Sequence, residues 1–232
     1  MDRVLGFDTS TGYLTVALLA GETVLAEREI GPDATTGRPR HARELLLAIE
    51  AVLAKGGGWE SVGRIAVGLG PGTFTGLRIG ISTARALAQS RDLPLVGVSS
   101  LRALAWGADG EALAVIDAKR TEAFAALYGA DGKELWEPSV GTPETLAGRI
   151  TERGVAVLAV GDGSVRFRSE LESSGADVPP DGDLRHRVAA RQVCRLAAVA
   201  PAGELAKIKP TYLRRPDAEL WRERDRGPTS TN

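Results

Sequence analysis

Hydrophobic and polar residues alternate along the first thirty positions in a pattern that predicts three short strands. An apolar run at 3–8 leads into a Thr/Ser/Gly turn, an alternating segment at 13–20 and, after a Gly-Glu turn, a third segment at 23–29. A period of two is typical of strands that bury one face. The chain is therefore expected to open with an antiparallel meander.

The same pattern recurs in the second half of the chain, where Asp117 stands in the place of Asp8. Each meander leads to a helical segment and then to a strand that ends in glycines. Two such units predict an α/β protein with two lobes and mixed sheets. Turn residues near the middle of the chain place these lobes at 1–108 and 109–232. Chance resemblance between two hairpins is the alternative.

Apolar spacing and capping residues predict the longer helices. A helix over 41–55 stops at Gly56, a residue type that commonly follows helix ends. A second helix, over 75–89, follows a glycine-rich segment. A third begins after Thr142, a good N-cap residue, and ends at Gly154.

Small residues form a strip along the second helix, because Gly76, Gly80, Ala84 and Ala88 recur every four positions. Such a strip lets another helix approach closely. Each helical glycine costs about 1 kcal/mol relative to alanine, so a tight packing contact is expected to offset the loss. The first helix is apolar over a wider face than one supporting sheet needs, which leaves a second contact surface. The alternative is that both helices only fill space inside their own lobe.

The segment "GPGTFTGLRIGIS", residues 70–82, raises the question of phosphate binding, because glycine-rich backbone precedes a helix N-terminus. The lysine of a Walker loop is missing, and the G-x-G-x-x-G pattern also fails. Asp8 at a strand end could hold a metal-bound phosphate, although such a segment more often forms a hydrogen-bonded turn. The weak candidates for nucleotide binding are Asp8, Thr9, Ser10, Gly70 and Gly72.

Other catalytic chemistry finds little support in the sequence. The histidines, His41 and His186, are far apart and form no H-x-x-x-H or H-E-x-x-H motif, so no metal site is predicted. Cys194 lies in an alanine-rich helical run and is interpreted as a buried small hydrophobe. No G-x-S-x-G motif is present. No catalytic residue is therefore assigned.

Composition narrows the class of protein further. The 232 residues are 43% hydrophobic and 25% charged, which is ordinary for a folded domain, and the net charge of -1 gives no global attraction to RNA or an anionic membrane. Any RNA binding must therefore be local. A single cysteine and the lack of a signal-like or membrane-spanning run favour a cytoplasmic location without membrane contact.

Five blocks carry a resemblance to a known family: "LGFDTSTG", "GLGPGTFTGLRIGISTARALA", "LPLVGVSSLRALA", "VIDAKRTEAFAALY" and "KPTYLR". Together they resemble the bacterial TsaB (YeaZ) proteins over about residues 3–215. The resemblance implies a duplicated, two-lobe α/β fold with mixed sheets, of the actin/Hsp70/sugar-kinase-like (ASKHA) type. That fold would explain the internal repeat.

The resemblance also implies a function. TsaB is the noncatalytic subunit of the complex that transfers threonylcarbamoyl to N6 of adenosine 37 in tRNAs reading ANN codons. Its catalytic paralogue TsaD binds the metal, the small ATPase TsaE joins them, and tRNA is reached through the complex. No cofactor is expected in the isolated chain, since ATP/ADP and a divalent metal belong to the partner subunits.

In the TsaB family the first two helices of the N-terminal lobe pack against the equivalent helices of TsaD, or of a second TsaB in a homodimer. The resemblance therefore places the interface on 41–55 and 75–89. The predicted contact residues are Leu45, Ile49, Val52, Gly76, Leu77, Gly80, Ile81, Ala84, Leu87 and Ala88. The competing hypotheses are an ATP-binding kinase or ATPase of the same superfamily and, with less support, a peptidase.

Overall fold

The computed structural model describes residues 3–214, and its first half forms a five-stranded mixed sheet. The strands are β1 (Arg3–Asp8), β2 (Leu14–Ala20), β3 (Thr23–Ile30), β4 (Val62–Gly68) and β5 (Leu95–Val98). Their order is β3-β2-β1-β4-β5, with an antiparallel β1–β2–β3 meander and with β4 and β5 parallel to β1. The predicted opening meander is confirmed.

The second half repeats this arrangement. Its strands are β6 (Ala112–Lys119), β7 (Glu122–Tyr128), β8 (Glu134–Gly141), β9 (Val157–Val160) and β10 (Ala176–Asp177). The order β10-β9-β6-β7-β8 gives β6 an antiparallel neighbour on one side and a parallel one on the other, as β1 has. The predicted duplication of a mixed-sheet unit is therefore confirmed.

Helices cover the sheets in layers. They are α1 (His41–Lys55), α2 (Phe74–Arg91), α3 (Ser100–Ala105), α4 (Pro143–Arg153), α5 (Asp162–Arg166), α6 (Arg168–Ser173) and α7 (Ala190–Val199). Helices α1 and α2 pack on one face of the first sheet, while α3 and α7 contact each other in a core that both sheets share. Helices α4 and α6 contribute to the core on the remaining face of the second sheet. Among the described residues, no helix is long and apolar enough to cross a bilayer.

The alternation of β1 separates two of these cores. Leu5 and Phe7 belong to the core under α1 and α2, whereas Val4 belongs to the core that contains α7. Gly6 also faces α7, and a Cβ added there would lie 2.5 Å from the sulfur of Cys194. The glycine thus allows α7 to pack directly on β1.

The chain after residue 190 returns to the first sheet. Helix α7 contacts β1 and β2, Gly203 bridges to Leu95, and the amide of Thr211 donates to the carbonyl of Leu69 at 2.8 Å. The sequence division at residue 108 separates the two sheets, but helix α7 from the second half packs on the first. The segment 203–214 consequently runs along the β5 edge, passes the start of α2 at Tyr212, and ends at Arg214, which donates to the carbonyl of Ala118 in β6 at 3.0 Å.

Candidate functional site

The turn after β1 holds Asp8 in a closed hydrogen-bond network. Its Oδ1 accepts from the amide and hydroxyl of Ser10 at 2.7 and 2.6 Å, and its Oδ2 accepts from the hydroxyl of Ser100 at 2.6 Å. The carboxylate is 1% exposed. Burial raises the pKa of Asp8 above its ordinary value, and the hydrogen bonds from Ser10 and Ser100 oppose that rise. Asp8 therefore acts here as a buried anchor of the turn.

The glycine-rich segment that precedes α2 packs on this turn. The amide of Thr73 donates to the carbonyl of Ser10 at 2.7 Å, and the amide of Gly70 donates to Ser100 Oγ at 3.2 Å. A Cβ at Gly72 would overlap the Ser10 backbone, and one at Gly68 would overlap the Asp8 carboxylate. The glycines thus allow close approach between two segments of the chain.

This packing encloses most of the weak candidates for nucleotide binding, which stays an untested prediction. Asp8, Thr9, Ser10 and Gly70 are buried, and their polar groups bond to one another or to neighbouring elements; Gly72 is half-buried. In this packing the turn after β1 and the glycine-rich segment before α2 are in direct contact. The structure favours the hydrogen-bonded turn over the phosphate site.

The small-residue strip of α2 faces the same turn. A Cβ at Gly76 would overlap the Thr9 carbonyl, and one at Gly80 would overlap the Thr9 hydroxyl. That hydroxyl donates to the carbonyl of Gly76 at 2.8 Å. Ala84 and Ala88 continue the strip into the core, where they are 0% and 1% exposed. The strip thus serves packing within the lobe.

This packing bears on the predicted interface, which stays a prediction. Nine of the ten predicted contact residues are buried in the subunit itself, and Leu87 is half-buried. The buried nine are Leu45, Ile49, Val52, Gly76, Leu77, Gly80, Ile81, Ala84 and Ala88. Sequence spacing identified the inward faces of α1 and α2, which are the most regularly apolar ones. That these two helices contact a partner stays a prediction.

The outward face of α1 carries two leucines that belong to the wide apolar face expected from the sequence but are absent from the predicted contact residues. Leu46 and Leu47 are each 55% exposed. Three consecutive leucines, Leu45 to Leu47, cannot all lie on one buried face of a helix, so the signal was present in the sequence. The surplus apolar surface expected of this helix is real, and we call Leu46 and Leu47 the outer leucines.

Both histidines are buried and bonded to backbone carbonyls. His41 Nε2 lies 2.8 Å from the carbonyl oxygen of Thr11, and His186 Nε2 lies 3.0 Å from that of Pro179. Burial lowers the pKa of His41, while the bond to Thr11 and the nearby Asp8 act against that shift. Within residues 3–214 no group of three His, Cys, Asp or Glu side chains is placed to hold a metal ion.

Cys194 is buried as the sequence predicts, with its thiol near the carbonyl oxygens of Val4 and Ala17, at 3.5 and 3.6 Å. Burial raises the pKa of this thiol far above its ordinary value. A protonated, inaccessible thiol is not a nucleophile.

The second copy of the turn is built differently. Between β6 and β7 only Arg120 and Thr121 connect the strands, with φ of 50° and 62°. Asp117 accepts from the Lys119 amide at 2.8 Å and from its ammonium group at 2.7 Å, and it also pairs with Arg166. Burial raises the pKa of Asp117, but the Lys119 and Arg166 bonds outweigh this effect and lower it. This carboxylate is neutralised by its own neighbours.

A cavity of about 270 Å³ lies between this second turn, the start of α2 and the segment 211–214. Its lining includes Gly72, Phe74, Lys119 and Tyr212 but not Asp8. The acid that opens the first unit therefore does not reach the cleft between the two units.

Comparison with known proteins agrees with this architecture. A family model described as TsaD, tRNA N6-adenosine threonylcarbamoyltransferase, matches residues 32–219. The TsaB protein of Escherichia coli K12, named as a tRNA threonylcarbamoyladenosine biosynthesis protein, is 32% identical over 225 residues, which cover 91% of this chain and 94% of the relative. The structure of YeaZ from Pseudomonas aeruginosa matches with a TM-score of 0.74 at 27% identity, covering 92% of this chain and 100% of that one.

A more distant likeness concerns the fold alone. The ROK hexokinase of Thermus thermophilus matches with a TM-score of 0.50 at 13% identity, over 84% of this chain and 99% of the hexokinase. The two related mixed sheets and their helix layers define a two-lobed actin-like α/β protein of the ASKHA type. With the sequence similarity to TsaB proteins over most of its length, the chain belongs to the TsaB (YeaZ) family.

The packing of α2 on the first turn gives a stability prediction. Replacing Gly80 with alanine should lower the free energy of unfolding by about 1–3 kcal/mol, because the added methyl group overlaps the Thr9 hydroxyl. The better helix propensity of alanine, about 1 kcal/mol, acts in the opposite direction. Urea denaturation measures the difference. Gly148→Ala is the matched control, since Gly148 lies in α4 with no atom within 4 Å of an added Cβ, and it should stabilise. Equal stabilisation by both substitutions would contradict the packing contact.

The lowered pKa of His41 gives a pH prediction. A histidine that is harder to protonate when folded contributes its full stability above about pH 6.5, and this contribution is lost as the pH falls below that value. The unfolding free energy of the unmodified protein should therefore fall more steeply between pH 7 and 5 than that of His41→Gln, by up to about 1.4 kcal/mol per pH unit. Denaturant titrations at several pH values measure both slopes, and identical slopes would show that His41 does not titrate abnormally.

Proposed function

We propose that this chain is the noncatalytic subunit of the complex that transfers threonylcarbamoyl to N6 of adenosine 37 in tRNAs reading ANN codons. Its membership of the TsaB family supports the role in biosynthesis of this modification, because the Escherichia coli relative carries that role in its name. The chain acts by pairing with its catalytic paralogue TsaD, with the small ATPase TsaE as a further partner. It works on tRNA through the complex, in the cytoplasm.

The observation that carries the pairing is the exposed position of the outer leucines. Two adjacent leucines at 55% exposure on one helix form an apolar surface that water solvates poorly. Helix α2 contacts α1 on the same face of the first sheet, and it carries the half-buried Ile79 and Leu87 and the exposed Ala86. A helix-on-helix interface on this face would bury on the order of 1,200–2,000 Å² in total. Without TsaD, a second copy of the chain can occupy the same face.

The described side chains support the proposed division of chemistry between subunits. Both histidines are buried with a ring nitrogen bonded to a backbone carbonyl, and Asp8 is enclosed by hydroxyl and amide donors. These groups would have to break internal bonds before they could bind a metal or a nucleotide. The proposal accordingly assigns the divalent metal and ATP/ADP to the partner subunits.

Charge introduced on the outer leucines tests the pairing. The double substitution Leu46→Glu and Leu47→Glu should abolish co-elution with TsaD in gel filtration, because two carboxylates would have to be desolvated in the interface. The folded chain should keep its circular dichroism spectrum, since both side chains point to solvent.

Leu184→Glu is the matched control, because Leu184 is 57% exposed in the second half of the chain. It should leave the complex intact. If the double variant still bound TsaD with unchanged affinity, the outer leucines would not be part of the interface.

The cleft cavity is the observation that favours the second candidate, an ATP-binding kinase or ATPase. Under the proposed function the chain alone does not bind ATP. Millimolar ATP with Mg²⁺ should therefore leave its melting temperature unchanged in differential scanning fluorimetry. Binding to the folded state would raise the melting temperature by mass action. A shift of several degrees would favour the kinase or ATPase.

A further inference from the structure

A groove of about 330 Å³ runs along the side of α2 that faces the C-terminal segment. Helix α2 provides one wall with Arg78 and Arg85, and the segment 208–212 provides the other wall with Lys209 and Tyr212. We call this feature the α2 groove. It lies near the β5 edge of the first sheet, because Gly203, which precedes this wall, bridges to Leu95 in that strand.

The charge of the α2 groove is unbalanced. Helix α2 has no Asp or Glu in its 18 residues. Arg85 and Lys209 are exposed and form no ion pair with any residue that the structure describes. Three basic side chains therefore face one groove, and within residues 3–214 no carboxylate pairs with Arg85 or Lys209.

Arginines on α7 show the opposite pattern. Arg191 and Arg195 pair with Glu27 and Glu22 on the first sheet at 2.8 and 2.9 Å. An arginine that already has a carboxylate partner contributes little to anion binding. The unbalanced charge of the α2 groove is thus a local feature, within a chain whose net charge is only -1.

Two aromatic rings lie at the end of this groove. Phe74 and Tyr212 are 39% and 41% exposed, and their rings stack with centroids 5.5 Å apart and an interplanar angle of 28°. The guanidinium of Arg78 lies 3.8 Å from the centre of the Phe74 ring, with its Nε 3.5 Å from the Tyr212 hydroxyl. These contacts hold the two rings in a fixed arrangement, which we call the aromatic platform. Tyr212 also lines the cavity of about 270 Å³ between the two halves of the chain.

We infer that the α2 groove is an RNA-binding surface, with the phosphodiester backbone along Arg78, Arg85 and Lys209 and an unstacked base on Tyr212. Basic grooves that end on stacked aromatics are the usual way in which proteins hold single-stranded nucleic acid, because phosphates need cations and every base offers a π-face. An acidic protein segment would match the cations but would gain little from the exposed rings. The inference rests on the proposed function for its choice of RNA.

Charge reversal in the assembled complex tests the groove. The full chain and TsaD are combined, assembly is checked by gel filtration, and an unmodified tRNA transcript is titrated by fluorescence anisotropy at several salt concentrations. The pair Arg85→Glu and Lys209→Glu should weaken binding at least about tenfold and reduce the slope of log K against log salt by about 1.4–1.8, the contribution of two phosphate contacts.

The aromatic platform is tested separately. Tyr212→Ala should weaken binding about tenfold with little change in the salt slope, and Tyr212→Trp should restore it, because a larger ring keeps the stacking surface. A loss that tryptophan does not restore would overturn the stacking role.

Matched controls carry the same change in charge elsewhere. Arg28 on β3 and Lys133 before β8 are exposed and have no ion pair among the described residues, and both lie away from the β5 edge. The pair Arg28→Glu and Lys133→Glu should leave RNA binding within about twofold. Equal losses of RNA binding in the two double variants would show a general effect of charge and would overturn the RNA-binding role of the α2 groove.

The outcomes also separate this inference from the proposed function. If the complex assembles but the groove substitutions leave RNA binding unchanged, the RNA-binding role of the α2 groove is overturned. The proposed pairing with TsaD then still stands. If Arg85→Glu with Lys209→Glu prevents assembly, the groove is a protein contact and the inference fails. If the chain does not pair with TsaD yet binds the transcript through these residues, the proposed function fails and the groove stands.

Discussion

The packing of α2 on the turn after β1 is the contact on which the first lobe depends. Thr9 occupies the space that side chains at Gly76 and Gly80 would fill, and Asp8 and Ser10 hold the turn in the shape that receives them. Glycine in a helix loses backbone entropy on folding, so two of them persist in α2 only because the close contact offsets the loss. This contact fixes the position of α2 and hence of every surface that α2 carries.

Duplication gave the two units the same sheet order, but their turns have diverged. The first unit has a longer turn that packs against a helix and encloses Asp8. The second has a two-residue connection at Arg120 and Thr121, and its Asp117 is paired with Lys119 and Arg166. Asp8 is enclosed by hydrogen-bond donors, whereas Asp117 is neutralised by two cations. In this chain the duplicated fold is thus retained, while the acid of each turn is held by its own neighbours.

Local features of the structure could be predicted from the sequence, and nonlocal ones could not. The bounds of α1 and the caps of α4 at Thr142 and Gly154 depend on residues within one turn, and they agree with the structure. The strip of small residues on α2 was also recognised as a packing surface, but its partner Thr9 lies 67 positions away and belongs to a turn, not to a helix. The spacing of small residues shows that a helix face can accept a close contact, but it does not show which segment of the chain packs against that face. The return of α7 to the first sheet was missed for the same reason, because Gly6 carries no signal that Cys194 will lie against it.

The geometry of the first sheet keeps the two proposed surfaces apart. Helix α1, with the outer leucines, lies over β2 and β3, whereas the α2 groove lies at the β5 edge, on the other side of α2. A partner seated on α1 therefore need not cover Arg85 or Lys209. The same helix α2 supports both surfaces, because its buried glycine face leaves its flanks to face outward in different directions. The two proposed surfaces would let the chain contact a protein and an RNA at once, which is what the proposed noncatalytic role requires.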